Sequence, residues 1–158
     1  MKKIVLIVVL LSVVSAGSMF AASHTGWSIG AAFYLTWTQS AAPTGAALCV
    51  KFPSLPIMFG FSAIFGYYYT TIGVTVDWWA FQTHLVGPVD LYIGPGLFLL
   101  IDTSPYGYVD GGLRIPVGFQ IFIVPAFEIF LEPALAIHVM PVLPTFGFMA
   151  SIGLRFWF

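Results

Sequence analysis

The stretch AFEIFLEPALAIHVM, residues 126–140, constrains the fold more than any other part of the chain. Side chains on a β-strand alternate between two faces with period two. In that phase Glu128, Glu132 and His138 share one face, with Phe130, Ala134 and Ala136 between them. The opposite face, Phe127, Ile129, Leu131, Pro133, Leu135, Ile137 and Val139, is wholly apolar. At about 100° per residue, a helix would bring the two glutamates together but swing His138 far round the cylinder. A strand unites the three polar residues, and a helix does not.

The same alternation recurs. In 89–102, Asp90, Tyr92, Gly94, Gly96 and Asp102 oppose Val89, Leu91, Ile93, Leu97, Leu99 and Ile101. In 108–123, Asp110, Gly112, Arg114 and Gln120 oppose Leu113, Ile115, Val117, Phe119, Ile121 and Ile123. In 146–158, Gly147, Ser151, Gly153 and Arg155 oppose Phe146, Phe148, Ile152, Leu154, Phe156 and Phe158. A soluble half-buried strand also alternates, but its polar face meets water. Here the polar faces are small and carry few charges, while the apolar faces are uniformly large. Only 7% of residues are charged, against about 25% in a soluble domain. The pattern is inside out: lipid outside, a narrow polar interior within. Closure into a barrel follows, because an open edge in lipid would strand backbone N–H and C=O groups.

Turn signals divide the chain into eight segments. The first four are 25–37, 46–52, 57–65 and 72–81; the four above complete the set. Membrane strands need about 9–11 residues, so the length suits an all-β, antiparallel up-and-down transmembrane barrel of about eight strands. Pro95, Pro116 and Pro133 lie inside these segments, where proline removes a ladder hydrogen bond; bulges or strand ends are expected there. The rival is a helical membrane protein, since 52–76 carries no charge and is long enough to span. Its glycines, aromatics and β-branched residues favour strands instead.

The start, MKKIVLIVVLLSVVSAGSMFAASH, has the form of a secretory leader: Lys2 and Lys3, an apolar run, then small residues. A cleaved signal peptide is expected over 1–22, with the cut somewhere in 16–23, and the barrel over 23–158. Without the leader, Lys51, Arg114 and Arg155 face six acids, a net charge of −3. No basic patch exists to bind nucleic acid. Cys49 is the only cysteine, so no intrachain disulfide can form.

The terminal SIGLRFWF, with Phe158 last and Phe156, Leu154 and Ile152 alternating before it, resembles the final strand of bacterial outer-membrane barrels. In those proteins the assembly machinery reads a C-terminal aromatic. With the leader and the strand count, the chain resembles the small eight-stranded barrels of the OmpA, OmpX and OmpW type. The resemblance implies a bacterial outer-membrane location, a lipid bilayer and the barrel assembly machinery as partners, a monomer, and Phe156 and Phe158 as the assembly signal. The connections are shorter than the extracellular loops those families often display. Trp27, Trp37, Trp78, Tyr67, Tyr68, Tyr69, Tyr106 and Tyr108 fall near segment ends, as interfacial aromatic girdles would.

In a barrel, Glu128, Glu132 and His138 point into the lumen. If Val139 stands opposite Phe146, then Glu128 faces Trp157, Glu132 faces Gly153, and Arg155 is diagonal to both acids, within side-chain reach. An arginine between carboxylates away from water makes charge-assisted hydrogen bonds. The expected lumen network is Lys51, Asp77, Asp90, Asp102, Asp110, Arg114, Gln120, Glu128, Glu132, His138 and Arg155. It forms a polar plug, because eight-stranded interiors are just filled by side chains. The expected role is mainly structural.

The alternative is a narrow pore or conduit for small or hydrophobic molecules, as OmpW-like resemblance implies. Gly94, Gly96, Gly112, Gly118, Gly147 and Gly153 would leave room for it, and the excess of acids would favour cations. Loop-borne adhesion is disfavoured by the short connections. No nucleophile–base–acid set is apparent around His138, so no enzyme is expected. Three scattered histidines suggest no metal site, and no cofactor is expected.

Overall fold

The computed structural model describes residues 26–37, 44–53, 55–66, 69–105, 107–140 and 144–158. The expected leader, His24, Tyr67, Tyr68 and Tyr106 lie outside the described residues. Ten strands follow in order: β1 (Ser28–Trp37), β2 (Thr44–Lys51), β3 (Ile57–Phe65), β4 (Thr70–Trp78), β5 (Phe81–Val86), β6 (Val89–Ile93), β7 (Gly96–Asp102), β8 (Val109–Val124), β9 (Phe127–Met140) and β10 (Thr145–Trp157). Every pairing is antiparallel. Trp79 and Ala80 alone separate β4 from β5, and Gly94 and Pro95 alone separate β6 from β7. The ten strands therefore make eight staves, and the pairing of β8 with β9 closes the ring. No helix among the described residues is long and apolar enough to cross a membrane.

The stagger of the barrel can be read from the registers. A row of partners runs Trp157, Ser28, Lys51, Met58, Asp77, Gly96, Arg114, Ala136 and Gly147. It returns to β10 ten residues from where it began. With about 3.3 Å per residue along a strand and about 4.8 Å between strands, that shear tilts the staves by about 40°. The start of β1 at Ser28 and the end of β10 at Trp157 share one end of the barrel with the turns at 87–88 and 125–126; we call it the terminal end. The opposite, loop end carries the connections after Trp37, Phe65, Asp102 and Met140. Gly87 has φ of 58°, a left-handed conformation that glycine adopts without steric cost at the head of a two-residue hairpin turn.

Alternation sorts the side chains as expected for lipid outside. Phe33 is 77% exposed and Phe146 78%, while Arg155 is 1% exposed and Glu128 fully covered. Burial of charge with exposure of phenylalanine is stable only where the surroundings are apolar. Trp27, Trp37, Tyr69 and Tyr108 are exposed at the two ends, and Trp78 is half-buried. Trp27 packs edge-on against Phe52 at 4.7 Å at the terminal end.

The prolines behave differently from one another. Pro95 does end a strand: it sits in the β6/β7 break, and its carbonyl accepts from Trp78 N at 2.9 Å. Pro116 and Pro133 lie within β8 and β9, and neither marks a bulge; the register shifts of that pair fall at Gly111/Gly112 and Phe122/Val124. Instead the β8–β9 ladder steps from Pro116↔Ala134 to Phe119↔Leu131. Pro116 turns its carbonyl, and with it the place of its missing N–H, toward the β6/β7 break, where it accepts from Gly94 N at 3.4 Å.

The lumen has two apolar layers. Tyr34, Ile64, Phe98, Leu100, Ala134, Ala136 and Met149 pack in one toward the loop end. Cys49, Met58, Trp79, Tyr92, Phe130 and Trp157 pack in the other toward the terminal end.

Candidate functional site: the charged lumen

The seventh and eighth staves meet in a register two residues away from the expected one. Arg155 stands directly opposite Glu128, and Ser151 opposite Glu132. A slip of two residues preserves the face of every side chain, so Arg155 and the glutamates still share the lumen. The consequence is a closer ion pair: Arg155 Nη1 donates to Glu128 Oε1 at 2.7 Å. Trp157 Nε1 donates to the other oxygen of Glu128 at 2.7 Å. Arg155 Nη2 donates to the Tyr92 hydroxyl at 3.2 Å and lies 3.9 Å from Glu132. The guanidinium lies 3.7 Å above the Phe130 ring, where the ring quadrupole attracts it.

Glu132 is the hub of the second half. Its Oε1 accepts from Arg114 Nη2 at 2.6 Å, and its Oε2 accepts from the Tyr92 hydroxyl. Arg114 Nε is 3.2 Å from Asp77 Oδ1. Asp77, Arg114, Glu128, Glu132 and Arg155 are all buried. They form one chain of contacts across the bore, fixed by cross-strand register rather than by sequence proximity.

Glycine makes those reaches possible. Gly96 lies between Asp77 and Arg114 in the row of partners, and a Cβ there would strike the Asp77 carboxylate. Gly30 lies between Arg155 and Cys49, and a Cβ there would crowd both side chains. Across it, Arg155 Nε reaches Cys49 Sγ at 3.4 Å. The lumen glycines therefore do not leave an open path at these positions; neighbouring side chains occupy the room they vacate.

Six expected members stand apart from the ionic chain. Lys51 is buried, but its ammonium lies over aromatic rings, 5.9 Å from Trp79 and 5.5 Å from Trp157, with no described carboxylate in ion-pair range. Asp90 pairs with His84 at 2.7 Å on the β5–β6 hairpin, where His84 is 64% exposed. Asp102 accepts from Ser104 N at 2.8 Å and shapes the turn after β7. Both carboxylates have the right parity, but they lie where their staves run out toward solvent, so these two are corrected from plug members to end contacts. Gln120 is buried on the lumen face of β8, opposite Phe130. His138 and Asp110 form a separate buried pair toward the loop end, Nδ1 to Oδ2 at 2.7 Å, with the Phe98 ring edge-on to the imidazole at 4.9 Å.

Sequence reasoning put Tyr92, Phe130 and Trp157 on the polar faces but missed Trp79. Trp79 stacks on Tyr92 at 4.1 Å between centroids and lies 5.3 Å from the Arg155 guanidinium. The signal existed: Trp79 is in phase with Asp77. It was obscured because tryptophan in a membrane protein equally suits the outer girdle.

A closed, eight-stave barrel with an apolar exterior and a charged lumen is a transmembrane β-barrel. No protein-family model matches the sequence, and comparison with curated proteins gives no match. Among solved structures, the chain is similar to Neisserial surface protein A, at 14% identity and a TM-score of 0.50, covering 84% of this chain and 96% of that one. It is also similar to Ail, the attachment invasion locus protein of Yersinia pestis, solved in complex with the heparin analogue sucrose octasulfate; identity is 18%, TM-score 0.43, and coverage 83% of this chain and 97% of that one. The shared feature is the fold, that of the small bacterial outer-membrane barrels.

Proposed function

We propose that the chain is an integral protein of a bacterial outer membrane, mainly structural, with its lumen closed by a polar plug. The observation that supports this reading most is the contact chain Asp77–Arg114–Glu132–Tyr92–Arg155–Glu128, buried throughout. Within that chain each charge meets an opposite charge or a hydroxyl, so the chain itself offers no unpaired charge to a water path. The proposal includes a leader over 1–22, a monomer, and recognition of Phe156 and Phe158 by the assembly machinery. Those two rings are exposed on the lipid side and meet edge-on at 5.1 Å, which leaves them available to a partner.

The runner-up is a conduit for hydrophobic molecules, and one feature favours it. An apolar groove of about 480 Å³ opens in the outer wall, lined by Val74, Leu97, Leu99, Leu113, Val139 and Met140, with Phe98 and Gly112 among its boundaries. It adjoins the register shift at Gly111/Gly112.

Single-channel recording of the refolded mature chain in a planar bilayer separates plug from pore. Silence from folded, heat-modifiable protein is expected. Discrete cation-selective steps would sink the plug. Uptake of a fluorescent apolar probe by silent protein, lost on Val74→Trp, would transfer the weight to the conduit.

A further inference from the structure

The groove in the outer wall has a traceable origin in the strand registers. Gly111 pairs with Met140 while Gly112 pairs with His138, so Val139 is an extra residue of β9 facing two glycines of β8. A bulge of this kind bends its strand and increases the local twist. On the outer face, the row of partners at that height reads Val74, Leu99, Gly111 and Met140, across four staves. Gly111 brings no side chain to the row, so the wall sinks between its neighbours; the Met140 methyl reaches in, 2.8 Å from where a Cβ would stand. The next row toward the terminal end, Val76, Leu97 and Leu113, forms the other bank. Between the banks lie the groove's 480 Å³.

Its chemistry and dimensions select the occupant. Every lining residue is apolar, so no side chain there orients a polar ligand. Adjacent rows on one face are two residues apart, about 6.7 Å along the strands. That admits one hydrocarbon chain and excludes a partner helix, about 10–12 Å across with its side chains. Four staves span three gaps of about 4.8 Å, roughly 14 Å in all. The shear sets the direction: successive partners from β1 onward climb toward the loop end, so Met140 is the upper end of the row and Val74 the lower. At a stave tilt of about 40° the row drops roughly 9 Å, within the about 15 Å of hydrocarbon in one leaflet. Exposed Tyr69 and Tyr108 stand at the loop end, where interfacial aromatics mark the headgroup level. Inward, the groove is bounded by Phe98, which is buried in the loop-end layer with Ile64, Leu100 and Met149.

The geometry points to a lipid-binding site on the outer wall: one acyl chain of a membrane lipid enters beside Met140 from the leaflet at the loop end and lies along the groove to Val74. The chain stays on the wall and does not enter the bore. This rests on the reading of the wall as lipid-facing, and not on the plugged lumen. Packing is what favours the groove over the surrounding bilayer. Atoms that line an unfilled gap forfeit dispersion contacts, and a chain laid into the gap restores them.

The test places the folded mature chain in dimyristoyl phosphatidylcholine vesicles with a trace of phosphatidylcholine that carries a photoreactive diazirine within one acyl chain. After irradiation, labelled residues are located by peptide mass spectrometry. Phe33, Leu35 and Leu48, on staves away from the groove and 77%, 45% and 57% exposed, serve as the reference. Label on Leu99, Leu113 and Met140 is expected severalfold above that reference. Val74→Trp fills the groove and should bring those three down to the reference level, whereas Leu35→Trp should leave their enrichment unchanged. Leu97→Trp replaces Val74→Trp if the latter lacks the heat-modifiable gel shift of a folded barrel. Even labelling around the wall overturns the site, as does enrichment that survives the groove variant. Label on Tyr34 or Met149 inside the bore overturns it in favour of the conduit. Folded protein that takes label at no wall position, the reference included, refutes the lipid-facing reading, and the site falls with it.

Discussion

Replacing Arg155 by alanine is the sharpest probe of how the lumen is held together. The side chain is 1% exposed and donates to Glu128 at 2.7 Å and to Tyr92 at 3.2 Å. Among the described residues, its removal leaves Glu128, wholly covered, with the Trp157 N–H alone for compensation. Breaking one side of a buried ion pair costs about 3–5 kcal/mol, because the remaining charge stays buried. The lost contact with the Phe130 face at 3.7 Å adds to this. With a urea slope of about 2 kcal/mol per molar, the unfolding midpoint should fall by roughly 1.5–2.5 M. Lys51→Ala is the control: Lys51 has no carboxylate partner among the described residues, and its loss forfeits packing and cation–π attraction worth about 1–2 kcal/mol. Midpoints are read in lipid vesicles by tryptophan emission and by the heat-modifiable gel shift. The double variant Arg155→Ala/Glu128→Ala should lose less than the sum of the two single changes, since neither charge is then stranded. Equal midpoints for Arg155→Ala and Lys51→Ala, or strict additivity in the cycle, would refute the reasoning.

Other outcomes follow from the same geometry. Asp110→Ala and His84→Ala break pairs of equal length, 2.7 Å, in different surroundings; the buried one should cost about 1–3 kcal/mol and the exposed one under about 1 kcal/mol, measured by urea unfolding. Gly118→Ala sets a Cβ into the Tyr92 ring, so it should displace Tyr92 from Glu132 and lower the stability by about 1–3 kcal/mol; an unchanged midpoint and near-ultraviolet dichroism would contradict the packing. Deleting Phe158 should reduce heat-modifiable protein in the outer-membrane fraction, and an undiminished amount there would remove the C-terminal aromatic as an assembly signal.

The inside-out alternation was legible in the sequence because strand parity is local. Once Glu128 and Glu132 share a face, Phe130 must lie between them and Ile129 opposite, whatever the neighbouring stave does. Parity also placed Asp77, Arg114 and Arg155 in the lumen without any knowledge of their partners. Partnership itself was not local. The two-residue difference in the β9–β10 register moved Arg155 from diagonal to directly opposite Glu128, because a register belongs to two staves together and to neither alone.

The reach from Arg114 to Asp77 depends on Gly96 in an intervening stave, and the union of Trp79 with Tyr92 joins two staves of one hairpin. Sequence gives each residue its side of the wall, because the pleat has a fixed period. Closure with a shear of ten residues decides which side chains meet across the bore, because only a closed ring sets the height of each stave against the others.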